Sequence, residues 1–223
     1  MFPKSATAKC SPTFAWVGRL IIDILERSVY NQCMARPRSF DADVVLDKAV
    51  EAFRSTGYEA TSVEDLERVT GLRRASLYGA FHDKHSLYVA ALKRYATTNF
   101  EGVLSELKAA PSGRRAIEGL FRMIVRDCLS DPNGCLLANA AMDRGNSDAQ
   151  AARCIAENRR RTEDALRAVI ARGHRDGSLK GGADVPALAR YLFSVMLGLR
   201  GLAKSGCTGV QLKEVVEQAL KVL

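Results

Sequence analysis

The chain has 223 residues, 47% of them hydrophobic and 7% aromatic, with a formal net charge of +8. That length buries a core without disulfide or metal staples and fits one large domain or two modest ones. The positive balance permits an acidic partner such as nucleic acid but does not name one.

Six cysteines, at positions 10, 33, 128, 135, 154 and 207, contain no C-x-x-C pair. The histidines His82, His85 and His174 complete no metal-ligand spacing, so neither a metal nor another cofactor is expected. The scatter reads as reduced thiols in a cytoplasmic protein. No segment is expected to span a membrane. "FAWVGRLIIDILE", broken by Arg19 and Asp23, makes a poor secretory signal.

Periodicity is helical nearly throughout, which predicts an all-α fold. In residues 1–33, Trp16, Leu20, Ile24 and Leu25 can form one face of a helix. After Arg38, Val45, Leu46, Ala49 and Phe53 form a stripe that Asp41 or Asp43 can cap and Gly57 can stop. Thr61 and Glu64 have capping-box spacing, so a second helix is predicted from about Ser62, with Val63, Leu66 and Val69 inside and Gly71 as its end. A third helix is predicted from about Arg73 to Phe81, and a fourth from about Asp83 to Ala109–Ala110. Further helices follow over about Arg114–Leu129, a short buried "CLLANAAMD", Asp148 to about Arg175, Val185–Lys204 and Val210–Leu223.

Two short helices joined by a glycine turn make a helix-turn-helix, whose second helix presents side chains to the DNA major groove. Charge is polarised along it. Residues 68–94 hold six bases and one acid, whereas residues 41–67 hold eight acids and two bases. Arg73 and Arg74 at the entry of the third helix can reach base edges or phosphate. Ser76 and Tyr78 offer hydroxyls, Ala75 and Gly79 allow close approach, and Lys84 with its helix N-terminus can hold a phosphate. Arg36 and Arg38 can form a basic arm, and Thr61, Ser62 and His82 complete the candidate contact set.

The combination Gly57-Tyr58, Thr61-Ser62, Gly71, Leu77-Tyr78-x-x-Phe81 and Lys84-x-x-Leu87 resembles the DNA-binding domain of the tetracycline-repressor-like (TetR) family over about Arg38–Tyr95. "NGCLLANAAMD" and "RGHRDGSLKGGADVPALARYLFSVMLGLRGLAKSG" resemble the family's short buried helix and its loop and dimer helix. The resemblance implies a three-helix DNA-binding domain over 34–82 and a larger helical ligand-binding and dimerisation domain over 83–223. It implies a homodimeric repressor on an inverted-repeat, double-stranded operator, released by a small-molecule inducer. It also makes "MARPRSF" at Met34 look like a start, so residues 1–33 read either as an upstream extension or as an added helix.

Candidate pocket residues are Phe100, Leu104, Phe121, Ile124, Cys135, Leu137, Met142 and Met196. Cys135 follows a glycine at a helix start, which favours a reactive thiol and gives an alternative reading as a sensor of oxidants or electrophiles, with Cys128 or Cys154 as partner. The candidate dimer face comprises Leu188, Leu192, Val195, Leu199 and Leu202, followed by Leu212, Val216 and Leu220. Gly198 and Gly201 allow close helix approach. A further alternative is a DNA-binding module without a ligand. An enzyme is not expected, because the sequence lacks a nucleophile–base pair, a metal set and a phosphate loop.

Overall fold

The computed structural model describes residues 40–223 except 132, 146, 182 and 183. Residues 1–33 and the basic arm of Arg36 and Arg38 lie outside the described residues. Among the described residues every regular element is a helix: α1 Ala42–Ala60, α2 Val63–Thr70, α3 Arg74–Phe81, α4 Lys84–Ala109, α5 Gly113–Ser130, α6 Leu136–Arg144, α7 Ala149–Arg175, α8 Val185–Lys204 and α9 Gly209–Leu220.

Val45, Ala49 and Phe53 of α1 are buried as their spacing predicts. Gly57, at φ 81 and ψ 170, is non-helical and stops the first helical run as its spacing predicts; beyond this kink a short helical stretch continues to Ala60. The cap that follows is one residue later than expected. Ser62 Oγ accepts from the Asp65 amide at 3.0 Å, and Asp65 Oδ2 accepts from the Ser62 amide at 3.1 Å. The Ser62 hydroxyl and then Arg68 hold the Asp65 carboxyl down at about 2. Thr61 is instead buried, and its hydroxyl donates to the Gly57 carbonyl at 2.6 Å.

The larger core lies among α4, α5, α7, α8 and α9, around Leu107, Leu120, Phe121, Leu166, Leu192 and Leu199. Burying such side chains stabilises the fold by roughly 1.5–3 kcal/mol each before entropy is subtracted. Here α5 and α7 meet backbone to backbone. A Cβ on Gly113 would stand 2.4 Å from the Gly173 main chain, so only glycine fits. The chain end is tied in by the Lys180 amide, which donates to the Leu223 carbonyl at 3.2 Å.

One expectation needs correcting. No segment is expected from the sequence to span a membrane, yet α8 is long and apolar enough by length and composition. It packs on α7 and on the core, but only 22% of its apolar window is buried by its own chain.

Candidate nucleic-acid interface

Residues 71–73 join α2 to α3. Gly71 adopts φ 76, a conformation costly for any side chain, and donates its N–H to Glu67 O at 2.9 Å. Arg73 occupies the N-cap of α3 but makes no side-chain cap bond. That task falls to Glu67, whose Oε1 accepts from the Arg74 amide at 2.6 Å across the turn. The Arg73 guanidinium is thereby left to project outward.

Leu77 is fully buried and anchors α3, with Phe81 half-buried beside it. Arg73, Arg74, Ala75, Ser76, Gly79 and His82 are exposed, and Tyr78 is half-buried. The Arg74 guanidinium lies 5.3 Å from the centre of the Tyr78 ring, so the two form one stacked unit. His82 closes the helix at φ 67. Lys84 is drawn back onto α1: its ammonium lies 4.5 Å from the Tyr58 ring centre and donates to Glu59 O at 3.4 Å.

Two members of the expected set are displaced from this surface. Thr61 is 1% exposed and bound to Gly57, so it cannot meet DNA. Ser62 is half-buried, and its hydroxyl is engaged in the α2 cap. The charge polarity also sharpens. Arg68 pairs with Asp65 at 2.5 Å. Arg94 grips Asp47 through two bonds of 2.9 Å and Asp43 through a third. Positive charge therefore concentrates at Arg73 and Arg74, beyond the reach of these acids.

The helix-turn-helix is fastened to the later helices at two points that sequence reasoning missed. Arg54 of α1 donates to the Gly134 carbonyl at 3.0 and 2.7 Å and pairs with Asp131. Arg144, at the end of α6, pairs with Glu59 and lies 4.2 Å from the Tyr58 ring centre. Beside it, His85 Nε2 meets Asp148 Oδ2 at 2.8 Å. Burial pushes the Asp148 carboxyl up, but the Ala151 amide and His85 outweigh it and hold the group below its usual range. No short motif marks these pairs, because they join residues 63 to 85 positions apart.

The expected pocket residues fall in different settings. Phe121, Ile124, Leu137 and Met196 are buried core, and Phe100 and Leu104 are half-buried. Met142, expected inside, is 76% exposed because α6 turns that face outward in its last turn. Cys135 is buried and borders a cavity of about 260 Å³ with Arg54, Tyr95, Cys128 and Arg200. On the candidate dimer face, Leu192, Leu199 and Leu212 prove to be core residues, each 0% exposed within the single chain. Leu188, Val195, Val216 and Leu220 are half-buried, and Leu202 is exposed. Gly198 and Gly201 have nothing within 4 Å of where a Cβ would stand, so that side of α8 is open.

A positioning helix anchored by buried Leu66, a glycine turn and an exposed arginine-headed second helix define a helix-turn-helix DNA-binding regulator. The comparisons agree. Residues 45–91 match the model of bacterial regulatory proteins of the tetR family, and residues 115–208 match a tetracyclin repressor-like C-terminal domain. The chain is 34% identical over 194 residues to the uncharacterized HTH-type transcriptional regulator YezE of Bacillus subtilis, covering 85% of this chain and all of that one. It is 28% identical to the HTH-type transcriptional repressor ComR of Escherichia coli, over 84% of this chain and 90% of that one. A solved structure of the TetR family regulator CifR, as a cysteine mutant with 26-bp operator DNA, superposes with a TM-score of 0.74. That match has 34% identity and covers 83% of this chain and 98% of the other. The chain belongs to the tetR family of bacterial regulatory proteins and is a DNA-binding transcriptional regulator.

Proposed function

We propose that the protein is a cytoplasmic homodimeric repressor that binds an inverted-repeat operator and is released by a small molecule. The observation that carries this reading is the start of α3. Arg73, Arg74 and Ser76 stand exposed there on a helix whose opposite side is locked by Leu77. An arginine on guanine discriminates by about 1–3 kcal/mol, whereas one on phosphate adds affinity without reading sequence. Arg74 takes the first role, its guanidinium oriented by Tyr78, and Arg73 takes the second from the edge of the groove.

Dimerisation uses the side of α8 left open at Gly198 and Gly201, with Tyr191 and Leu202, and the outer side of α9. The relatives named as a repressor and as an operator-bound regulator support the sign of regulation and the DNA partner. The test is fluorescence anisotropy on DNA flanking the gene. Submicromolar binding that Arg74→Ala abolishes supports the reading, and binding unaffected by Arg74→Ala overturns it.

A second reading, in which Cys135 is the sensing group, is favoured by one contact. The carbonyl of Gly134, adjacent to Cys135, is held by Arg54 of α1, so a change at the thiol is one peptide away from the DNA-binding unit. Burial pushes the Cys128 and Cys154 thiols up. Loss of operator binding on treatment with N-ethylmaleimide, absent in Cys135→Ser, would support it. The same loss in both proteins would exclude it.

A further inference from the structure

A cleft of about 470 Å³ lies between α4 and α7, apart from the expected pocket residues and from Cys135. Its floor is Val89, Ala96 and Cys154, all buried. Its rim carries three cations, Lys93, Arg153 and Arg161, against one carboxylate, Glu157.

The pairing on α7 is uneven. Away from the cleft, Arg159 and Arg167 are tied to Glu163 at 3.1 and 3.4 Å, and Arg167 also to Asp164 at 2.9 Å. On the cleft side, Glu157 stands four residues from both Arg153 and Arg161, the spacing at which helical ion pairs form. Neither pair closes, and among the described residues none of the three cations has an ion-pair partner. Arg161 is instead held over the Phe100 ring at 4.2 Å. A second mark is Asn158, whose Oδ1 is buried in the cleft lining with no hydrogen-bond partner. Like charges gathered around a partly apolar floor, beside an unsatisfied acceptor, form a site short of an anion and of a donor.

We propose that this cleft binds a small organic oxyanion, a carboxylate or phosphate ester, that also carries a hydrogen-bond donor for Asn158, and that this anion is the effector. The effector role rests on the reading of the chain as a ligand-released regulator. The anion bridges Lys93 of α4 to Arg153 and Arg161 of α7, while the ligand's apolar part covers Val89 and Ala96. Its path to DNA is short. Lys93 adjoins Arg94, whose ion pairs with Asp43 and Asp47 hold α1, and α4 also packs on α3.

The experiment uses inorganic phosphate as the probe, with chloride at matched ionic strength as control. It compares the full chain with a Lys93→Gln/Arg153→Gln double variant, whose replaced side chains are exposed and make no ion pair among the described residues. Phosphate should raise the Tm of the wild-type chain by a few degrees, ~2–4 °C, and not that of the variant. It should weaken wild-type operator binding about five-fold or more beyond the chloride control, with a smaller effect on the variant. No phosphate-specific shift, or an equal shift in the variant, overturns the site. A variant-sensitive shift with unchanged operator affinity upholds the site and contradicts the effector role. A variant that binds operator poorly without phosphate assigns these cations to the DNA backbone and overturns the proposal.

Discussion

At the scale of single residues, the side chains proposed to face DNA are distinct from those that hold the DNA-facing helix in place. Arg73 and Arg74 are neighbours in sequence, but Arg73 is the extended N-cap residue of α3 and Arg74 its first helical residue. The first makes no side-chain cap bond and is left exposed, and the second stacks on Tyr78. Selection of binding sites from random DNA should show relaxed preference at one position of each half-site for Arg74→Ala. Arg73→Ala should show weaker binding with an unchanged consensus, and the reverse pattern sinks the assignment. Ser62→Ala should cost about 0.5–2 kcal/mol of stability through loss of the α2 cap. In urea titrations that loss should appear as a lower midpoint with little change in base preference. Had Ser62 been a DNA contact, the consensus would shift as well. The neighbouring position shows why the sequence misled here: Thr61 with Glu64 and Ser62 with Asp65 have the same spacing. Only the kink at Gly57, which offers Thr61 a carbonyl, selects between them.

At the scale of elements, helix existence and order were legible because apolar spacing, glycine stops and Asp or Ser caps are local signals. The junctions were not, because they depend on pairs distant in sequence. Asp148 is an example. Its place at the start of α7 is readable, whereas its bond to His85 on α4 is a product of folding. With its carboxyl held below the ordinary 3.8, Asp148 contributes stability that is present above about pH 4 and lost as pH falls through the lowered value. Urea midpoints measured from pH 6 to pH 3 should therefore fall less steeply for Asp148→Asn than for wild type. Equal slopes would remove Asp148 from the acid response. The crossing of α5 and α7 gives a sharper case. Gly113→Ala places a Cβ against backbone that cannot rotate away, so a loss of roughly 1–3 kcal/mol is expected from overpacking. A variant as stable as wild type would contradict the close approach.

At the scale of the whole molecule, α8 has two faces that the sequence did not separate. An apolar residue bound for the chain's own core and one awaiting a partner look alike in a helix that is apolar on most sides. Leu199 belongs to the first kind, whereas Leu202 is exposed and belongs to the second in the proposed dimer. Leu199→Ala should destabilise each chain by about 2–5 kcal/mol. Leu202→Glu should leave the fold intact and shift sedimentation toward monomer, because a buried unpaired carboxylate is costly at an apolar contact. A monomeric Leu199→Ala with a dimeric Leu202→Glu would place the interface elsewhere.

The central claim is that two copies of α3 read one inverted repeat together, held at a fixed distance by the dimer. Dimeric helix-turn-helix proteins engage half-sites about 34–36 Å apart, or a multiple of one DNA turn. The direct measurement is anisotropy on the selected operator and on the same operator with about half a turn, ~5 bp, inserted between its half-sites. The account expects tight binding to the first, with two chains per duplex, and a loss of at least ten-fold on the second. Equal affinity for both duplexes would contradict it.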